Sequence, residues 1–254
     1  MLMRRLLCAM LLLAPLSISA EVLELRYSDF TIWLDCGKRA ATKFHYTLGR
    51  DVSDLKRTGR NALDPNEDKN CQQSSTSSYK YPELDTCELP EHEKRCFHKG
   101  HLVPYNHMDH SSVSARQTNY MTNILPQARN LNIGAWQRTE EITECYRDYS
   151  TLEIYGGPVW GKGIHLAHHS IALPDYYWKV IIRDDKAIAW IIPNSNEEDV
   201  AKDDLSNYLV TIESIEKATG QSVPVEQNLK KGIADESSWD VAYCDQHSPR
   251  GWRR

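Results

Sequence analysis

The chain has 254 residues, of which 41% are hydrophobic and 26% charged, with 12 Gly and 11 Pro. That composition supports one sizeable core or two small ones and excludes a collagenous, mucin-like or wholly disordered chain. A formal net charge of −5 argues against coating nucleic acid or an anionic membrane through bulk charge, and leaves only a localised basic groove for such contacts.

In chain order, residues 1–20 read as a secretory signal peptide. Arg4 and Arg5 precede an apolar run from Leu6 to Leu16, and the small residues Ser17 to Ala20 offer a cleavage site before Glu21. The run is short for a membrane span, and no later stretch reaches 18 apolar residues. Cleavage would leave 28 basic against 35 acidic side chains, a net of −7, on a soluble, secreted or periplasmic chain of residues 21–254. It also removes Cys8, leaving Cys36, Cys71, Cys87, Cys96, Cys145 and Cys244. An even count behind an export signal points to disulfides, with 15 pairings open for six cysteines. Local spacing favours Cys71–Cys87, which would close the polar, Ser-rich segment between them. Cys87–Cys96 is the near alternative.

Leu23 to Leu48 alternates in places between apolar and polar residues and predicts strands. Residues 50–97 are polar and turn-rich, a length of chain that is usually functional or disulfide-tied. Asn130 to Tyr146 carries Leu131, Ala135, Trp136 and Ile142 on a helical period. Thr151 to Tyr155 reads as a strand before Gly156-Gly157-Pro158, and Trp178–Ile182 with Ala187–Ile192 as a hairpin across Arg183 to Lys186. Asp203 to Thr219 is amphipathic and stops at Gly220, as a helix with a glycine C′ does. The tail after about residue 234 is polar. Interspersed strands and helices predict an α+β domain with a central antiparallel sheet flanked by helices.

The stretch richest in chemistry is Phe97-His98-Lys99-Gly100-His101-Leu102-Val103-Pro104. Some twenty residues on come Thr122-Asn123-Ile124-Leu125-Pro126-Gln127 and Leu131-Asn132-Ile133-Gly134-Ala135-Trp136. A cation, a glycine and a histidine in sequence set an imidazole beside a phosphate-binding charge. An imidazole with an ordinary pKa of about 6.5 is neutral at working pH and can act as a general base. The Asn132 amide oxygen suits a hard ion such as Mg²⁺ or Mn²⁺. On the proposed helix Asn132, Trp136, Glu140 and Glu144 recur every four residues and share one side.

Taken together, the three segments resemble the DNA/RNA non-specific endonuclease family, whose ββα-metal (His-Me finger) motif carries Asp-Arg-Gly-His-x-x-Pro, S/T-Asn-x-x-Pro-Gln and Leu-Asn-x-Gly-x-Trp. His101 and Pro104 match the first segment, Asn123, Pro126 and Gln127 the second, and Asn132, Gly134 and Trp136 the third. Tyr155 to Pro158, Pro174 to Val180 and Ile212 to Gly220 look like later family elements. The resemblance thus covers about residues 40–225 and implies a single nuclease domain.

It further implies His101 as general base, Asn132 as direct ligand of a Mg²⁺ ion for which Mn²⁺ can substitute, and Glu140 as holder of the ion's water shell. Lys99 and Arg60 would contact phosphate, with Arg57, Arg138 and Arg147 as further substrate-binding candidates and Asn123 in support. DNA and RNA are the implied substrates, no membrane is involved, and a homodimer is compatible with the family. Three positions depart from its pattern. Lys99 replaces an arginine, which loses bidentate geometry. His98 stands in place of an aspartate. Glu144 stands in place of a phosphate-contacting arginine, so it either faces the groove or pairs with Arg147 or Arg138. Two other readings compete: an inactive secreted binding module on the same fold, and a zinc protein built on Cys96, His98, His101 and His107 or on His165, His168 and His169.

Overall fold

A computed structural model describes residues 22–53, 55–57, 59–75, 79, 97–161, 163, 165, 166, 171–197, 200 and 202–247. The signal peptide, Cys87, Cys96, His168, His169 and the terminal arginines therefore lie outside the described residues. Among the described residues no helix is long and apolar enough to cross a membrane.

The predicted first strands are three: β1 (Val22–Arg26), β2 (Phe30–Asp35) and β3 (Ala40–Leu48). A separate pair, β4 (Phe97–His101) and β5 (Ile124–Ala128), brackets the short helix α1 (Ser112–Gln117). Then come helix α2 (Trp136–Arg147), β6 (Leu152–Val159), the two-residue strands β7 (His165–Leu166) and β8 (Ile171–Ala172), β9 (Tyr176–Arg183) and β10 (Lys186–Pro193). Helices α3 (Ile212–Thr219), α4 (Gln227–Lys231) and α5 (Ala242–His247) finish the chain. Six strands form one sheet in the order β1-β2-β3-β6-β9-β10, and every neighbouring pair is antiparallel.

Strand periodicity explains how the sheet carries a layer on each face. Along β9, Tyr177 and Ile181 join the core on the α2 side. Trp178 and Val180 point the other way, into a cluster with Ile212 and Ile215 of α3. Burying each such isoleucine contributes about 1.5–3 kcal/mol. The β9–β10 turn is two residues, Asp184-Asp185, since Arg183 pairs with Lys186. Asp184 takes the left-handed φ of 52° that a tight hairpin demands.

Three sequence expectations need correction. The Asp203–Thr219 segment is not one helix. Leu209 bridges to Trp190, and the Val210 amide donates to the Ala189 carbonyl at 3.0 Å, so the sheet edge breaks the helical path. A short turn (Lys202–Tyr208) precedes α3, which starts where the Thr211 hydroxyl accepts from Ser214 N and ends at Gly220 with φ 69°. The Asn130–Tyr146 helix is likewise broken. Residues Leu131–Ala135 form a wide kinked turn, with Gly134 at φ −113° and ψ −112°, before α2 begins. Finally, Cys71 pairs with Cys36, not Cys87, and Cys145 pairs with Cys244. These bridges span 35 and 99 residues. Loop closure of that order restricts the unfolded chain by roughly 4–5 kcal/mol each. Local spacing could not reveal them, because the sheet and α5 bring the partners together.

Candidate active site

Strands β4 and β5, the kinked turn and α2 form a ββα unit on one face of the sheet. Trp136 anchors it, with its ring edge-on to Phe44 at 6.4 Å and to Tyr177 at 5.6 Å. Its indole Nε1 donates to the His101 carbonyl at 3.3 Å. The end of β4 is therefore tied to the first turn of α2, and the histidine backbone is fixed before any substrate arrives.

His101 ends β4. Its ring hydrogen-bonds the Lys99 backbone. Nε2 lies 3.2 Å from Nη2 of Arg57 and 3.2 Å from Oδ1 of Asn119. Burial, reinforced by the Arg57 charge, lowers the His101 pKa from 6.5 to about 4. The ring is thus a neutral acceptor across the neutral range. The predicted phosphate contact was Arg60. Arg57 is the arginine brought to His101, and Arg60 is exposed without a side-chain partner among the described residues. Two residues separate them in a turn-rich segment that offers no periodicity to choose between them. Asn119 carried no signal in the sequence beyond its proximity to Asn123.

Asn132 sits in the kinked turn. Its Nδ2 donates to Gln127 Oε1 at 2.7 Å, and its Oδ1 lies 3.0 Å from His98 Nδ1. Gln127 pairs with His98 across the β4–β5 ladder. It also packs so closely on Gly100 that a Cβ there would stand 2.2 Å from Gln127 Oε1. The glycine of the motif is therefore needed for room. With its NH₂ committed to Gln127, the half-buried Asn132 keeps its oxygen toward His98, and an amide oxygen suits a hard divalent cation that keeps most of its waters. Among the described residues no group of three or more His, Cys, Asp or Glu could hold a metal. The zinc reading loses His107, which is buried with Nδ1 2.7 Å from Tyr46 OH.

Asn123 is fully buried and acts on the backbone. Its Oδ1 accepts from Val103 N at 2.9 Å, and its Nδ2 donates to the carbonyls of Val103 at 2.9 Å and Thr118 at 2.8 Å. It closes the loop that follows His101. Lys99 Nζ donates to the Ser75 carbonyl at 2.6 Å.

Glu140 lies on α2, where burial raises its pKa to about 7 against the opposing pull of Lys179. Lys179 is completely buried, donates to Thr139 Oγ1 at 2.7 Å and stands 3.7 Å over the Trp136 ring. Burial lowers its pKa to about 8, with Glu140 the charge that supports it. A lysine on the inward side of an apolar strand is its signal in the sequence.

Two arginine candidates are turned away from His101. Arg147 is 3% exposed and donates to the Gly49 carbonyl at 3.0 Å and to Glu144 Oε1 at 3.1 Å. Arg138 pairs with Glu141 at 3.0 Å. Glu144 also accepts from Asn106 Nδ2 at 3.2 Å, and burial pushes its pKa up to about 8. The Glu144 departure is thus part of an internal bracket between α2 and the 102–111 loop.

The family model described as DNA/RNA non-specific endonuclease matches residues 14–231. A Serratia marcescens nuclease is 33% identical over 134 residues, 48% of this chain and 48% of its own. Endonuclease G of Bos taurus, a mitochondrial protein, is 27% identical over 141 residues, 49% of this chain and 46% of its own. The chain spans about half the length of the curated relatives it matches. A solved structure of the EndoG/EndoGI complex superimposes with a TM-score of 0.60 at 19% identity, covering 81% of this chain and 88% of that one. At that identity the likeness concerns the fold.

Proposed function

Since the chain belongs to the DNA/RNA non-specific endonuclease family, we propose that it is a metal-dependent endonuclease that hydrolyses phosphodiester bonds of DNA and RNA with little sequence preference. One observation carries the reading: a neutral imidazole and an amide oxygen are held on the same ββα unit, and an arginine is already at the imidazole.

His101 Nε2, the ring nitrogen that faces Arg57, takes the proton from the attacking water. Arg57 binds a non-bridging phosphate oxygen, and Lys99 adds a point charge on the same strand. Asn132 Oδ1 would hold a divalent ion, Mg²⁺ or Mn²⁺ in its place, and Glu140 would orient its water. When bound, the ion neutralises charge on the phosphoryl and leaving oxygens. Asn123 supports the site by fixing the loop after His101.

We also propose export to the periplasm or medium as a single nuclease domain. The basic and apolar N-terminal segment supports this, as do two disulfides, which persist in oxidising compartments. The test is incubation of the oxidised protein with plasmid DNA and with RNA, in Mg²⁺, in Mn²⁺ and in EDTA. Cleavage of both substrates that EDTA abolishes is expected. Cleavage indifferent to EDTA, or none with any divalent ion, would overturn the proposal.

A further inference from the structure

We propose that His98 is a second direct metal ligand beside Asn132, so that the centre is a mixed imidazole–amide site taking a first-row transition ion such as Mn²⁺ in preference to Mg²⁺. The inference rests on the reading of Asn132 as the ligand and deepens it.

The geometry is that of neighbouring ligands. Two donors about 2.1 Å from one ion and at right angles are about 3.0 Å apart. His98 Nδ1 and Asn132 Oδ1 are separated by 3.0 Å. The same distance would serve a hydrogen bond, but two features favour shared coordination. Asn132 does not need His98 for its orientation, because Nδ2 already donates to Gln127 at 2.7 Å. In addition, a cation on Oδ1 repels an N–H aimed at that oxygen. A neutral imidazole then places its proton on Nε2 and offers the Nδ1 lone pair to the ion.

The donors are also pre-set. His98 lies on a regular strand, directly across the ladder from Gln127. Gln127 in turn holds Asn132 and packs against Gly100. Ligands fixed in this way lose little freedom on binding. With two ligands from the chain, most coordination positions remain open to water and substrate. The metal preference follows from donor softness. Oxygen-only sites suit Mg²⁺, whereas an imidazole raises affinity for Mn²⁺ and the later ions of the series.

The experiment is Mn²⁺ titration of the metal-free protein, with free Mn²⁺ read by continuous-wave EPR and bound Mn²⁺ by pulsed EPR. Competition with Mg²⁺ gives the selectivity. Wild type is expected to show ¹⁴N modulation from a directly bound imidazole. His98→Asp and His98→Gln should each lose it while still binding Mn²⁺, and the preference for Mn²⁺ over Mg²⁺ should fall by about tenfold or more. Thermal melts of both variants confirm that they are folded.

Absent ¹⁴N modulation in wild type, modulation that survives both substitutions, or unchanged selectivity would overturn the inference. Asn132→Ala separates it from the reading beneath. If that variant loses Mn²⁺ but wild type shows no imidazole signal, His98 is only an orienting hydrogen-bond partner and the Asn132 site stands. If Asn132→Ala binds Mn²⁺ like wild type, or wild type binds none, both readings fall.

Discussion

Arg57 Nη2 lies 3.2 Å from the Nε2 of His101, so the proposed base and an exposed guanidinium already touch in the free protein. The contact depends on an unprotonated Nε2, since an imidazolium and a guanidinium would repel each other. A phosphate oxygen is the stronger partner for the arginine. On the proposed mechanism, substrate would draw Arg57 off the ring and expose the nitrogen to water.

The first prediction concerns pH. Protonated His101 cannot accept a proton, so the rate falls as pH drops through the native pKa, placed at about 4 instead of 6.5. Arg57→Ala should move that acidic limb toward 6.5, raise KM and reduce the salt slope by about one phosphate. Stability has the matching sign. Between 6.5 and 4 the unfolded chain takes up a proton that the native ring refuses, so the folded state weakens as pH falls through this window. Rate profiles of both proteins check the claim, and coincident acidic limbs would refute it.

A second prediction concerns Glu144. Its carboxylate meets Arg147, Asn106 and the His107 ring inside the protein. Glu144→Arg would set a second guanidinium against buried Arg147. It should cost about 3–5 kcal/mol in denaturant melts and leave KM no better. Glu144→Gln should be nearly silent at pH 7, within about 1 kcal/mol. Because the native carboxyl holds its proton up to about pH 8 against an ordinary 4.5, this group's contribution is full at low pH and declines as pH rises through that interval. Glu144→Gln should flatten that decline. A lower KM for Glu144→Arg would show that the residue faces the groove after all.

Gly100→Ala is the third. The new Cβ would collide with Gln127 Oε1 and displace the amide that holds Asn132. A stability loss of about 1–3 kcal/mol is expected, together with weaker Mn²⁺ binding. Melting curves and metal titration on one sample measure both, and unchanged metal affinity would disconnect Gly100 from the metal ligand.

The elements legible in the sequence are those fixed by neighbours along the chain. The hairpin at Asp184-Asp185 follows from strand periodicity and a two-residue turn, and the stop at Gly220 from its left-handed φ of 69°. The motif segments likewise mark His101 and Asn132, which the fold sets on one ββα unit. What was hidden depends on partners distant in sequence. Ala189 interrupts the 203–219 helix through a hydrogen bond from Val210. Cys36 reaches Cys71 only once the β2–β3 hairpin is built. Helical spacing set Glu144 on the same side as Asn132, yet its partners come from Arg147 one turn on and from the 102–111 loop.

The proposed role of His101 is that of general base. The most direct measurement is single-turnover cleavage of duplex DNA by His101→Ala at pH 7 with saturating Mn²⁺, beside a Mn²⁺ titration and a melt of the same preparation. A loss of about 10²–10⁴-fold in the cleavage step is expected, with metal affinity unchanged and the fold intact. A rate near that of wild type would contradict the role.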